Sequence, residues 1–281
     1  MAGTDQAFLR FPSMKDVHPV SKTVAECMKA RPGVEVASLT DVGLQRANNE
    51  DSYLYWEPED DAEFQQKGRL GIIADGMGGY EGGQEASRIA VQTIREAYER
   101  ARTKDPKVAL YDAFTLAHGR IQGYALEHPE LQGMGTTCTA LAILDRQLYF
   151  GHVGDSRLYR IHKGSVSRVT RDHSYVSRLV ESGIVRSEDA ETHPQRHILT
   201  AALGSGSEVI PDVSTKPISL GDGDAIILCT DGLWGQVTER ELVASVEQGS
   251  AADACLTLLK LALDRGGPDN ITLQVLQCRF E

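Results

Sequence analysis

Aspartates stand at the ends of apolar runs in four places, and this placement constrains the chain more than any other feature. Leu70-Gly71-Ile72-Ile73-Ala74 runs into Asp75-Gly76-Met77-Gly78-Gly79, and Ala225-Ile226-Ile227-Leu228-Cys229-Thr230 runs into Asp231-Gly232. Asp269-Asn270 opens the apolar run 271–275, and Asp51 closes the polar segment Arg46-Ala47-Asn48-Asn49-Glu50-Asp51 just before the run 52–56. A carboxylate at the end of a buried strand is costly unless a cation compensates it. Four such positions point to a cluster of hard, oxygen-liganded metal ions.

Taken singly, Asp75, Asp231 or Asp269 reads as a turn or cap residue, because Asp-Gly after a strand is a hairpin signal. The combination changes the reading, since Asp75 and Asp231 each follow an unusually apolar strand. Asp222 and Asp224 provide the contrast. They precede the strand 225–230, which places them roughly 20 Å from Asp231 at the rise of a strand, so they read as hairpin residues. The donors are all oxygens: carboxylates, a backbone carbonyl in a Gly-rich turn, and water. Such a set suits Mg²⁺ or Mn²⁺ better than zinc. Gly76 has no side chain to keep an ion away from its backbone. Arg46 offers a planar fork that matches two phosphate oxygens; alone, it also reads as a surface ion pair with Glu50 at i+4.

The 281 residues suffice for one large domain or two small ones, with 41% hydrophobic and 25% charged residues. The net charge of −11 argues against nucleic acid or an anionic membrane as the main partner. The five cysteines form no C-x-x-C pair and suit reduced thiols rather than a disulfide framework or a zinc site. No stretch has the length of about 18 apolar residues that a membrane span needs. The chain is therefore expected to be soluble and cytoplasmic, without a membrane segment.

Residues 1–33 read as a loosely held extension with a short helix over 24–30. Strands are expected over 34–39 and 52–56, with a polar solvated loop over 57–68. Two helices follow, over 84–102 and 108–127. A strand meander occupies 136–144, 147–153, 157–162 and 166–170. Residues 171–207 are irregular, with a short helix over 175–182, and suit a flap over a site. Strands resume over 213–218 and 224–230, helices cover 238–247 and 251–264, and a last strand spans 270–277. This order suggests an α+β fold: two mainly antiparallel sheets packed together and flanked by helix pairs.

Seven motifs in order resemble those of the metal-dependent Ser/Thr protein phosphatases, the PPM or type 2C family. They are Arg46-x-x-Asn49-Glu50-Asp51, Asp75-Gly76-Met77-Gly78-Gly79, Gly135-Thr136-Thr137, Gly154-Asp155-Ser156-Arg157, Thr170-Arg171-Asp172-His173-Ser174, Asp231-Gly232-Leu233-Trp234 and Asp269-Asn270. Each is weak alone; together they are highly specific. The likeness covers residues 34–278. It implies a four-layer αββα sandwich, a catalytic domain over 34–281 and a flap over 171–207.

The resemblance also implies the site. Asp75 bridges two Mn²⁺ or Mg²⁺ ions, Gly76 binds through its carbonyl, Asp231 and Asp269 bind the first ion and Asp51 the second. Glu50 and Asn270 act from behind these ligands, Asp155 holds a third, weaker ion, and Arg46 binds the substrate phosphate. With Arg46, Asp75 and Asp231 as the catalytic set, a hydroxide bridging the ions attacks phosphoserine or phosphothreonine directly. The implied partners are phosphorylated proteins, among them a Ser/Thr protein kinase, and the implied state is a monomer. Two features depart from eukaryotic members and mark a bacterial-type chain. Met77 stands where a proton-donating histidine occurs, leaving His173 and His193 as candidate donors, and Gly235 stands where an aspartate occurs. Two other functions stay open: a dedicated phosphatase of one regulatory protein, and a phosphoprotein-binding pseudophosphatase.

Overall fold

The computed structural model describes residues 23–78, 81–190, 192–206 and 208–280. Most of the N-terminal extension and Gly79 of the glycine-rich turn lie outside these residues. Two antiparallel sheets form the centre. The first runs β1 (Glu26–Cys27), β2 (Val34–Asp41), β13 (Ile271–Cys278), β12 (Ala225–Cys229), β8 (Arg157–His162) and β9 (Ser165–Arg168). The second runs β10 (Asp212–Val213), β7 (Gln147–Val153), β6 (Cys138–Leu144), β4 (Arg69–Met77) and β3 (Asp51–Trp56), with β11 (Ile218–Ser219) on β7 and β5 (Gly135–Thr136) on the end of β4.

Hydrophobic patterning explains the layers. Strand β12 is apolar and buried throughout because both of its faces are covered. Ile227 and Cys229 pack toward α7 (Glu239–Glu247) and α8 (Ala251–Asp264), in a core with Leu242, Cys255 and Leu258. Ile226 and Leu228 point the other way and meet Ile73 and Leu141 of the second sheet. Leu70, Ile72 and Ala74 of β4 face α2 (Glu81–Arg100) and α3 (Pro106–Glu127). Three cores in series thus hold four layers, α-β-β-α, which is the expected sandwich. Burying each Leu or Ile contributes about 1.5–3 kcal/mol.

Several local expectations are corrected. Residues 24–30 form no helix; β1 pairs with β2, with Cys27 opposite Ala37. Residues 57–68 are not simply a loop. Asp60 caps α1 (Asp61–Lys67), accepting a hydrogen bond from the Glu63 backbone N–H at 2.9 Å. This helix is polar almost all round, and its one aromatic, Phe64, lies under the guanidinium groups of Arg31 and Arg69 at 4.7 and 4.9 Å. The strand expected over 213–218 is two short pieces, β10 and β11, both paired with β7. In the flap, α4 (Tyr175–Glu181) forms as expected and a one-turn helix, α5 (Ser187–Ala190), follows.

Candidate active site

Both sheets turn the same edge toward one cleft of about 710 Å³, whose lining includes Arg46, Asp75, Asp155, Asp231 and Asp269. In the second sheet, Asp51 at the start of β3 stands directly opposite Asp75 near the end of β4. In the first sheet, β12 ends at Cys229 beside Arg157 and Leu273, so the turns at 155, 231 and 269 meet there. At this edge a hydrogen bond joins the two sheets: Thr230 Oγ1 donates to Asp51 Oδ2 at 3.0 Å.

The backbone around each carboxylate is fixed in detail. The carbonyl of Asp75 accepts from Thr137 N at 2.9 Å and Thr136 Oγ1 at 2.8 Å, and its N–H donates to Thr137 Oγ1 at 3.1 Å. Gly76 is pressed so tightly that a Cβ there would lie 2.1 Å from the Gly83 carbonyl oxygen. Asn270 ties down the loop that carries Arg46 and Glu50. Its amide nitrogen donates to the carbonyls of Val42 and Asn48, both at 2.9 Å, and its oxygen accepts from Glu50 N at 2.8 Å. Arg46 pairs with Asp269 at 2.6 Å rather than with Glu50.

The electrostatics are those of crowded acids. Burial, then the Asp231 and Asp269 charges, pushes the Asp51 carboxyl up to about 7 against the help of the Thr272 and Thr230 side chains. Burial also raises Asp75 far above the ordinary range, with Asp51, Asp231, Asp155 and Asp269 adding to it. Asp155 is raised by burial and then by Asp231. Asp51 Oδ1 and Asp231 Oδ1 are buried without a hydrogen-bond partner. Unpaired buried carboxylate oxygens are costly, and an all-oxygen set fits a hard divalent cation. Among the described residues, no three acidic, histidine or cysteine side chains close on a single point; Asp75, Asp155, Asp231 and Asp269 line one cleft, Asp51 is not among its lining residues, and Asp269 is turned onto Arg46.

The histidines are arranged differently from the sequence expectation. His173 sits at the foot of the flap, its Nε2 3.2 Å from Asp212 Oδ2, and His193 accepts from Gln195 N at 3.2 Å within a flap turn. Neither lines the cleft. His197 does, with Nδ1 3.9 Å from Asp231 Oδ2. Its irregular segment carries no spacing signal that could have marked it. Asp224 lies at the far end of β12, paired with Arg160 at 2.7 Å, as its position before the strand implies.

Two packed antiparallel sheets with a carboxylate-lined cleft at one edge are the features to compare with known proteins. The family model for protein phosphatase 2C matches residues 46–252. The serine/threonine protein phosphatase PstP of Mycobacterium tuberculosis is 34% identical over 239 residues, which is 85% of this chain and 44% of that protein, so the chain spans less than half of PstP. The protein phosphatase PhpP of Streptococcus pneumoniae is 35% identical over 252 residues, covering 88% of this chain and 99% of PhpP. The solved catalytic domain of PstP in complex with 2 manganese ions superimposes with a TM-score of 0.75 at 31% identity, over 88% of this chain and 99% of that one. The chain belongs to the protein phosphatase 2C family, the PPM-type metal-dependent Ser/Thr protein phosphatases.

Proposed function

We propose that this chain removes phosphate from phosphoserine and phosphothreonine in proteins. Two Mn²⁺ or Mg²⁺ ions would be held by Asp51, Asp75, Asp231 and Asp269 and by the Gly76 carbonyl. The observation that carries this reading is the pair of buried, unpartnered oxygens, Asp51 Oδ1 and Asp231 Oδ1, beside a cleft lined by Arg46. When bound, two such ions supply an activated water for in-line attack on phosphorus.

The chain's own residues do the rest. Arg46 binds the phosphate through its planar fork and fixes it for attack. Asn270 holds Arg46 and Glu50 in register by fastening their loop. Asp155 would hold a third, weaker ion next to Asp231. A thiol nucleophile is disfavoured: Cys229, Cys255 and Cys278 are pushed up to about 12 by burial, and no cysteine lines the cleft among the described residues.

The proposed catalytic unit is residues 34–281 with a flap over 171–207; of the extension 1–33, the described part adds β1 to the edge of the first sheet. Among the described residues no helix is long and apolar enough to cross a membrane. The natural setting is a cytoplasmic monomer acting on phosphoproteins, a Ser/Thr protein kinase among them. The test is phosphate release from several unrelated peptides carrying phosphoserine, phosphothreonine or phosphotyrosine. Turnover of the first two classes is expected, and no release from any phosphoserine or phosphothreonine peptide with Mn²⁺ present would sink the reading.

A further inference from the structure

Asp155 sits in the three-residue link 154–156 between β7 and β8, whose placement depends on contacts from distant parts of the chain. Gly154, with φ of 105°, is packed on Thr137, and its N–H donates to His173 Nδ1 at 3.3 Å. Ser156 Oγ is 2.8 Å from Thr137 Oγ1. The carbonyl of Asp155 itself accepts from the indole nitrogen of Trp234 at 3.0 Å. Trp234 ends α6 (Asp231–Trp234), the single helical turn that Asp231 begins. One rigid turn therefore carries the Asp231 carboxylate and, three residues on, the donor that fixes Asp155.

The other face of this contact leads to the flap. The Arg157 guanidinium lies over the Trp234 ring, 3.6 Å from its centre. Arg157 is buried and forms a fork with Asp172 at the foot of the flap, with Nη2 to Oδ2 at 2.7 Å and Nε to Oδ1 at 3.1 Å. Its Nη1 also donates to the Tyr159 hydroxyl at 3.1 Å. A desolvated guanidinium on an indole face is a strong, orientation-specific contact. The order of contact is thus Asp172, Arg157, Trp234, Asp155, with Trp234 covalently tied to Asp231.

We propose that Trp234 is a positioning residue for Asp155: its indole N–H and its Arg157-bearing face set the placement of the Asp155 carboxylate relative to Asp231, and with it the affinity of the weaker cation site. This rests on the reading of Asp155 as a ligand given above. Asp155 and Asp231 repel each other while buried, so their separation is held against a force. A small relaxation of the turn opens the pair and weakens its hold on a shared cation. The proton inventory of the reaction is untouched, because Trp234 neither gives nor takes a proton.

The test replaces Trp234 with 3-benzothienylalanine, which keeps the ring shape and deletes only the N–H. Mn²⁺ binding to the full chain is followed by electron paramagnetic resonance and calorimetry, alongside Tm and phosphopeptide kinetics. Loss of one hydrogen bond should weaken the loosest Mn²⁺ by about tenfold, with the tighter ions unchanged. kcat should fall at limiting Mn²⁺ and recover at high Mn²⁺, with KM for the phosphopeptide unchanged. Arg157→Lys should move the same site in the same direction. Wild-type binding of every ion by the 3-benzothienylalanine protein, or equal weakening of all ions together with a lower Tm, would overturn the proposal. Asp155→Asn separates the two levels. If it binds as many Mn²⁺ ions as the wild type, the reading of Asp155 as a ligand fails; if it loses one while the 3-benzothienylalanine protein binds every ion with wild-type affinity, only the positioning role fails.

Discussion

Asp51 and Asp75 occupy directly opposed positions on the antiparallel strands β3 and β4. Like charges facing each other across a strand pair are destabilising, and burial raises both carboxyls. A fold that keeps this pair sacrifices stability in the metal-free state and, on the proposed reading, would regain it on binding cations.

This gives a pH dependence with a definite sign. The folded-state value for Asp51 is raised from an ordinary carboxyl to about 7, so the folded protein holds a proton that the unfolded chain has released between roughly pH 4 and 7. Stability of the metal-free protein should therefore fall as pH rises through that window. Tm measured with chelator should be higher at pH 5 than at pH 8, Asp51→Asn should flatten the difference, and Mn²⁺ should raise Tm most at pH 8. A metal-free Tm that rises steadily from pH 5 to pH 8 would contradict this.

Asp231→Ala removes a carboxylate with one oxygen already unpartnered. Turnover should fall by about 10³-fold or more. The same change relieves the repulsion on Asp75 and Asp155, so the metal-free Tm should not fall. Near-native kcat for this variant would remove Asp231 from the site.

Arg46 is held by Asp269 at 2.6 Å with its side chain 55% exposed. It is placed to exchange that partner for a phosphate dianion. Arg46→Ala should raise KM for a phosphopeptide by about tenfold or more with a smaller change in kcat, and Arg46→Lys should restore only part, since an ammonium lacks the fork. Steady-state kinetics on all three proteins decide this.

Gly83 lies in the first turn of α2, where alanine would ordinarily be favoured by about 0.5–1 kcal/mol. Here a Cβ would lie 1.9 Å from Glu50 Oε2. Gly83→Ala should therefore displace Glu50, lower Tm and weaken Mn²⁺ binding. A raised Tm with unchanged binding would show that Glu50 moves aside freely.

Much of the fold was legible because burial on both faces gives strands a continuous apolar run, as in β12, and because α8 repeats Cys255, Leu258, Leu259 and Ala262 on one face, all buried. The carboxylates were legible because charge at the end of such runs is anomalous. What stayed hidden depends on contacts between distant segments. Helix α1 is polar on nearly every side and is held by its Asp60 cap and by arginines from elsewhere. The partner of Arg46 is 223 residues away, whereas the sequence offered Glu50 at i+4. Trp234 touches Asp155 across 79 residues, and His197 reaches the cleft from a segment without periodicity.

The most direct test follows Mn²⁺ binding and phosphopeptide turnover together on one chelator-treated preparation. Turnover should vanish with the metal and return as Mn²⁺ is added back, with at least two ions bound per chain by calorimetry. Full turnover in metal-free buffer, or no stoichiometric Mn²⁺ binding, would contradict a cation-filled carboxylate cleft as the origin of activity.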